Sequence, residues 1–270
     1  MVQSSASVFL ERLKYAPFPH EGKPAGRQDD FHRDNSVLFF LPPSFNPEKP
    51  FFHLIFFHGF QTTVVQTVST FELDDQVAES NQNVIFIAPQ LAVNLPDSSP
   101  GKFLKKNIFS LFMAECVQVL SARIGPDHAR KLTQAPIILC AFSGGYKSVA
   151  YILERGGLNP RIRGVLLFDA CYGELKKFKS WIGRHLSEAF FLLLYTQGPV
   201  KENALALAGY MAEIGLVPER QWPDEIRPGR AYLIQTHQDH LTVPLSGPPE
   251  RPLKKALQSL HDPSLYFWPA

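Results

Sequence analysis

The sequence predicts an α/β protein whose mostly parallel sheet is covered by helices on both faces. Short apolar runs alternate with longer segments of helical period along the chain, which is the pattern of such folds. Several of the apolar runs lack polar alternation, as strands buried on both faces do. The chain has 270 residues, 45% of them hydrophobic, which is enough for one large core. No repeat or linker divides it, so we predict a single domain over residues 1–270, with a polar lead-in over residues 1–35.

Each element is predicted from its hydrophobic period and from the turn residues that flank it. The apolar runs predict strands over residues 37–41, 53–57, 84–88, 137–141, 165–168, 190–195 and 231–235. Segments of helical period predict helices over residues 71–80, 105–124, 145–155, 174–185, 203–214 and 253–260. The proline-rich segment 42–50 predicts a turn. We therefore expect the first two strands to run antiparallel at the edge of the sheet.

Charge and cysteine content exclude several classes of partner and site. The 27 Lys and Arg residues against 25 Asp and Glu residues leave a net charge of +2, too small for electrostatic binding of nucleic acid or anionic lipid. The three cysteines have no CxxC spacing, so we expect free thiols. The N-terminus lacks the pattern of a signal peptide, and no segment reaches membrane-spanning length. We expect a soluble chain without a membrane span, either cytoplasmic or exported after processing; the sequence predicts no oligomeric state.

The strongest functional signal is the segment 137–146, Ile-Ile-Leu-Cys-Ala-Phe-Ser-Gly-Gly-Tyr. It reads as an apolar strand that ends in small-x-Ser-small-small and continues into a helix. A serine on so sharp a turn needs small residues two positions before and after it, and Ala141 and Gly145 stand there. The turn would lift the Ser143 hydroxyl above the carboxyl edge of the sheet. It would also place the Gly144 N–H where an oxyanion develops. An ordinary helix-capping serine is the alternative.

These residues resemble the nucleophile turn of the α/β-hydrolase superfamily, with Ala141 where the commonest pattern has glycine. The segment Ile-Phe-Phe-His-Gly-Phe at 55–60 resembles the superfamily's first strand and loop. The resemblance covers about residues 36–260 in element order. It implies a sheet of about seven or eight strands without a large cap domain. It also implies that the Phe60 N–H is the second oxyanion donor and that Gly59 allows close approach of substrate. Gln61, the next residue, is a candidate substrate contact.

The resemblance also implies the order Ser, acid, His along the chain. Two histidines, His237 and His240, follow the last predicted strand, and an imidazole can take the serine proton near neutral pH. We favour His240 because it lies further out on the loop, while His237 stays open. The same stretch contains His-x-Asp-His, part of a zinc-binding pattern, but Gln235 replaces its first histidine. We therefore expect no metal there.

The acid of the triad is expected to be Asp169, directly after the strand predicted over residues 165–168. Most members of the superfamily carry the acid one strand later, where Glu202 is the nearest carboxylate in this chain. Some lipases of the superfamily use the earlier position, and an Asp that caps the next turn is the alternative. Tyr146 and Tyr172 flank the proposed nucleophile and acid, so we expect them to line the pocket.

Together these motifs predict a serine hydrolase that cleaves an ester or amide bond of a small or medium acyl substrate through an acyl-enzyme. Esterase, amidase and peptidase activities all fit, and the partner would be a small molecule or a peptide. No cofactor is expected, because the chain lacks a GxGxxG segment after its first strand and a Gly-Lys-Ser/Thr phosphate loop. The alternative is a protein that uses the same fold for binding without catalysis.

Overall fold

The computed structural model describes residues 2–4, 34, 36–93, 99–247 and 249–261. Eight strands form one sheet. They are β1 Val2–Ser4, β2 Val37–Phe40, β3 Phe52–Phe57, β4 Val84–Pro89, β5 Ile137–Phe142, β6 Ile162–Phe168, β7 Phe190–Tyr195 and β8 Ala231–Gln235. Their spatial order is β1-β2-β4-β3-β5-β6-β7-β8. The β1–β2 and β2–β4 pairs are antiparallel, and every pair from β4 to β8 is parallel.

Helices cover both faces of this sheet. In the described part of the chain they are α1 Val64–Thr70, α2 Leu73–Glu79, α3 Ile108–Ile124, α4 Ala129–Gln134, α5 Tyr146–Arg155, α6 Leu175–His185, α7 Pro199–Glu213 and α8 Pro252–Gln258. Apolar side chains of α3 to α7 pack on one face, and those of α1, α2 and α8 pack on the other. None of the helices in the described ranges is long and apolar enough to cross a membrane.

The parallel strands bring the predicted functional loops to one edge. Since β3 and β5 to β8 run in the same direction, the loops that follow their carboxyl ends meet there. Strands β3, β5 and β7 are buried throughout, and their alternate side chains enter the two opposite cores. This packing gives the loops a rigid base.

The predicted strands are confirmed to within three residues, and four features of the fold differ from expectation. The antiparallel strand β2 pairs with β4 rather than with the strand that follows it. The helix predicted over residues 71–80 is preceded by a separate helix, α1, because Phe71 ends α1 and Glu72 adopts φ 49° before α2. The sequence signal for α1 was the capping box of Thr63 and Gln66, and the short α4 was also not predicted.

Most of the predicted lead-in over residues 1–35 lies outside the described residues. Its described part includes strand β1, which was not predicted and which pairs with β2. The loop between β6 and β7 contains α6 and a short 3-10 turn, Leu186–Glu188. No cap domain therefore stands in the described segment between these two strands. The single-domain organisation stays a prediction.

Candidate active site

Ser143 lies on the turn between β5 and α5. Its backbone adopts φ 52°, a left-handed conformation that costs about 1–2 kcal/mol for a residue with a side chain. A 3-10 turn, Ser143–Gly145, leads directly into α5. A Cβ at Gly145 would lie 2.2 Å from the Phe57 carbonyl oxygen of β3, so only glycine fits this position. The turn thus has the sharp form that the sequence predicts.

The hydroxyl of Ser143 is linked through His240 to Asp169. Ser143 Oγ lies 2.9 Å from His240 Nε2, and His240 Nδ1 lies 2.6 Å from Asp169 Oδ2. Because a carboxylate only accepts hydrogen bonds, Nδ1 carries the proton in the neutral imidazole and Nε2 is free to accept from the serine. The three side chains come from the ends of β5, β6 and β8. The arrangement can take up the serine proton as the oxygen attacks a carbonyl.

Asp169 is 1% exposed and adopts φ 46°, so the chain bends sharply after β6 just as it does after β5. Thr196, directly after β7, donates to Asp169 Oδ1 from its backbone N–H at 2.8 Å and from its hydroxyl at 2.9 Å. The Thr196 hydroxyl also lies 3.0 Å from Oδ2, and the Tyr172 hydroxyl donates to Oδ2 at 3.3 Å. Burial and the charge of Asp169 raise the pKa of the Tyr172 hydroxyl, which therefore keeps its proton.

The loop after β3 approaches Ser143 from the other side. A Cβ at Gly59 would lie 2.9 Å from Ser143 Cβ, so the absence of a side chain lets the loop come this close. The N–H of the next residue, Phe60, has no acceptor among the described residues. It is therefore available for an oxyanion on a substrate.

His58 fixes the orientation of the Gly59–Phe60 peptide. Its Nε2 accepts the Leu91 N–H at 2.9 Å, so the proton is on Nδ1, which donates to the Gly59 carbonyl at 2.6 Å. The C=O and N–H of a trans peptide point in opposite directions. By holding the Gly59 carbonyl, His58 turns the Phe60 N–H away from itself. Burial lowers the pKa of His58 to about 4, so the ring stays neutral near pH 7.

The other candidates from the sequence do not belong to the hydrogen-bonded chain that links Ser143 to Asp169. His237 is exposed and bonds to no described residue, and Glu202 is exposed on α7. Burial raises the pKa of the Cys171 thiol to about 12, so its sulfur stays protonated. Gln61 is exposed beside the loop with φ 58°, and Tyr146 begins α5. In the described ranges no group of three or more His, Cys, Asp or Glu side chains is placed to hold a metal ion.

Aromatic and apolar side chains surround the imidazole. The Phe142 ring stacks on the His240 ring with 4.8 Å between centroids. The Tyr172 ring meets the His240 ring edge-on at 5.9 Å, and Tyr146 lies 6.1 Å from Tyr172. Leu241, next to His240, is 71% exposed. The imidazole thus contacts two aromatic rings, one stacked and one edge-on, while 32% of the His240 side chain stays open to solvent.

Sequence reasoning missed Thr196. It indicated that His58 holds the loop by hydrogen bonds, without identifying the groups to which the ring bonds. Thr196 follows β7, where the resemblance places the acid in most α/β-hydrolases. The Thr196 hydroxyl was the available signal. An acid that lies one strand earlier than usual needs a hydrogen-bond donor, and the end of the next strand can supply it. The partner Leu91 had no signal in the sequence, since it lies 33 residues from His58 in the chain.

No family model matches the sequence, and no curated protein is significantly similar to it. Solved structures do resemble the fold. One is a mutant of the feruloyl esterase module from Clostridium thermocellum, complexed with sinapinate, with a TM-score of 0.56 and 13% identity over 84% of this chain and 83% of that one. Another is a ferulic acid esterase, with a TM-score of 0.52 and 13% identity over 76% of this chain and 85% of that one.

At this identity the likeness concerns the fold alone. It agrees with the sheet order, the helices on both faces and the absence of a closed barrel in the described chain. The chain therefore has the α/β-hydrolase fold.

Proposed function

We propose that this protein is a serine hydrolase in which Ser143 is the nucleophile, His240 the general base and Asp169 the acid that orients it. The observation that carries the proposal is the continuous chain of hydrogen bonds from Ser143 Oγ through His240 to Asp169 Oδ2, at 2.9 and 2.6 Å. These distances lie in the range needed for proton transfer. The left-handed turn at Ser143 adds support, because a strained serine between a strand and a helix is typical of a nucleophile.

The mechanism follows from the positions of the protons. Ser143 Oγ attacks the acyl carbon while His240 Nε2 takes the hydroxyl proton, and the carbonyl oxygen becomes an oxyanion. The backbone N–H groups of Phe60 and Gly144 stabilise that oxyanion. The imidazolium, held by Asp169, returns the proton to the leaving group, and the acyl chain stays on Ser143. Water, activated by the same imidazole, then hydrolyses the acyl-enzyme.

The surroundings of Ser143 favour an uncharged, apolar acyl group. Eight large apolar side chains in the described residues are exposed, and three of them belong to the proposed site or adjoin it: Phe60, Tyr172 and Leu241. They adjoin the oxyanion loop and the imidazole, where the acyl and alcohol parts of a substrate would lie. The two similar structures are esterases, so esters are the first substrates to test. Amides and peptides are cleaved through similar tetrahedral intermediates, so they are the next substrates to test.

The test is covalent labelling with a fluorophosphonate probe, followed by peptide mapping. We expect one modified residue, Ser143, and loss of the label in Ser143→Ala. His240→Ala should slow labelling by about four orders of magnitude, as the loss of a triad base does. The matched control, His237→Ala, should label at the wild-type rate. Turnover should then be measured with p-nitrophenyl acetate, p-nitrophenyl octanoate and methyl sinapinate.

Two outcomes would overturn the proposal. Folded wild-type protein that reacts with neither the probe nor any of these esters would favour a binding protein without catalysis. Normal labelling of His240→Ala together with failure of His237→Ala would move the base to His237.

A further inference from the structure

The buried carboxylate of Asp169 needs more hydrogen-bond donors than His240 alone supplies. Asp169 is 1% exposed, and a buried carboxylate without enough donors becomes protonated or turns toward solvent. His240 supplies one donor, to Oδ2 at 2.6 Å. The second oxygen, Oδ1, faces the end of β7 and needs donors from that strand.

Thr196 supplies these donors. Its backbone N–H and its hydroxyl both lie within 2.9 Å of Oδ1. The side chain is 8% exposed, so water does not replace the hydroxyl easily. The backbone around it is fixed, because the Thr236 N–H of the next strand end donates to the Tyr195 carbonyl at 2.8 Å. The backbone N–H holds Oδ1, and the hydroxyl lies 2.9 Å from Oδ1 and 3.0 Å from Oδ2. Together the two donors fix the plane of the carboxylate, whose Oδ2 meets His240.

We propose that Thr196 is a positioning residue of the active site, and that its hydroxyl keeps the Asp169 carboxylate aligned with His240 Nδ1. The inference rests on the proposed function. It adds a residue from a strand that contributes none of the three proposed catalytic side chains.

Tyr172 does not replace this hydroxyl. Its bond to Asp169 Oδ2 is longer, at 3.3 Å, and its side chain is 39% exposed. This bond is to Oδ2, the oxygen that His240 also uses. The Tyr172 hydroxyl lies 3.2 Å from His240 Nδ1 as well. Among the described residues, Thr196 alone bonds to Oδ1, the oxygen that His240 leaves free.

The experiment compares three threonine variants. Thr196→Val keeps the shape and the backbone donor but removes the hydroxyl, whereas Thr196→Ser keeps the hydroxyl. Thr67→Val is the control for the same chemical change at a buried threonine, since Thr67 is 2% exposed and its hydroxyl donates to the backbone carbonyl of Thr63, the residue before α1. Each protein is measured for its rate of fluorophosphonate labelling, for kcat and KM with p-nitrophenyl acetate, and for its melting temperature.

We expect Thr196→Val to lose about 10- to 100-fold in labelling rate and kcat, the effect of removing a hydrogen bond to a charged group. Its KM should stay within about twofold, because the hydroxyl does not touch substrate. Thr196→Ser should recover most of the rate, and Thr67→Val should react like wild type. Wild-type rates in a folded Thr196→Val would overturn the proposal.

A second measurement does not depend on turnover. The proton between His240 Nδ1 and Asp169 gives a far-downfield proton resonance in NMR spectra, and it should move or broaden in Thr196→Val but not in Thr196→Ser. If Thr196→Val does not fold, Thr196→Ala is used in its place. An unchanged resonance in the folded hydroxyl-free variant would show that Thr196 has no positioning role. Silence of the wild type toward the probe, with a resonance that responds to Thr196, would reject the proposed function while keeping the positioning role.

Discussion

Two histidines stand at opposite ends of β3, and they share their burial, the direction of their pKa shift and one kind of hydrogen bond. His53, near the amino end, is 0% exposed, and His58, directly after the carboxyl end, is 1% exposed. Burial lowers the pKa of each to about 4. Each ring donates one hydrogen bond to a backbone carbonyl, from His53 Nε2 to Leu132 at 2.9 Å and from His58 Nδ1 to Gly59 at 2.6 Å.

What differs is the peptide that each histidine holds. The Leu132 carbonyl ends a short helix at the amino edge of the sheet, far along the strand from Ser143. The Gly59 carbonyl belongs to the peptide whose N–H is the proposed oxyanion donor. We therefore expect His53 to contribute to stability at the amino edge, and His58 to contribute to catalytic geometry at the carboxyl edge. The comparison shows that burial and pKa alone do not identify a functional residue; the partner of the hydrogen bond does.

The largest expected difference between the two edges concerns their glycines. A Cβ at Gly59 would lie 2.9 Å from Ser143 Cβ, and a Cβ at Gly164, near the amino end of β6, would lie 2.2 Å from the Phe190 ring. We expect Gly59→Ala to slow fluorophosphonate labelling by about 100- to 1,000-fold, since the loop that carries an oxyanion donor must move away. Gly164→Ala should instead lower the free energy of unfolding by about 2 kcal/mol.

Labelling rates per folded molecule and urea unfolding separate the two effects. Gly164→Ala should label at the wild-type rate, because its strain lies at the opposite edge. Equal losses of labelling rate in both variants would contradict a division of roles between the edges.

The next effect concerns the histidines themselves. His58→Leu removes the donor that holds the Gly59 carbonyl, so we expect kcat for p-nitrophenyl acetate to fall by about 10- to 100-fold. His58→Asn should recover part of the rate, because its amide can donate to the same carbonyl. His53→Leu, the matched change at the amino edge, should lower stability without changing kcat. A wild-type kcat in folded His58→Leu would show that the loop needs no such support.

The smallest expected effect is the dependence of stability on pH. Both histidines are neutral in the folded protein down to about pH 4, whereas an unfolded histidine takes up a proton below about pH 6.5. Their contribution is therefore complete above pH 6.5 and is lost as the pH falls from 6.5 toward 4. Between pH 7 and pH 5 each should cost about 2 kcal/mol of unfolding free energy.

Urea unfolding at pH 7 and pH 5 measures this loss. His53→Leu should show a smaller decrease than wild type, since one of the two titrating groups is gone. An equal decrease in the variant would mean that His53 is protonated in the folded state.

Much of the fold could be predicted from the sequence, because buried parallel strands are continuous apolar runs whose limits are local. The predicted strands over residues 190–195 and 231–235 agree with β7 and β8 at both ends. The helix α1 and the pairing of β2 with β4 could not be predicted in the same way. The helix is only seven residues long, too short for a clear period. The strand pairing depends on contacts between segments that are distant along the chain.

The small residues around Ser143 and the bend that they permit were determined by the sequence itself, since a strand, a sharp turn and a helix are set by neighbouring residues. Which histidine lies against Ser143 was decided only by the tertiary structure. His237 and His240 are three residues apart, and only the path of the loop after β8 brings one of them to 2.9 Å from the serine oxygen. Likewise the donors to Asp169 Oδ1 come from Thr196, directly after β7. A buried charge is satisfied by whatever the fold places beside it, and no local pattern in the sequence specifies that neighbour.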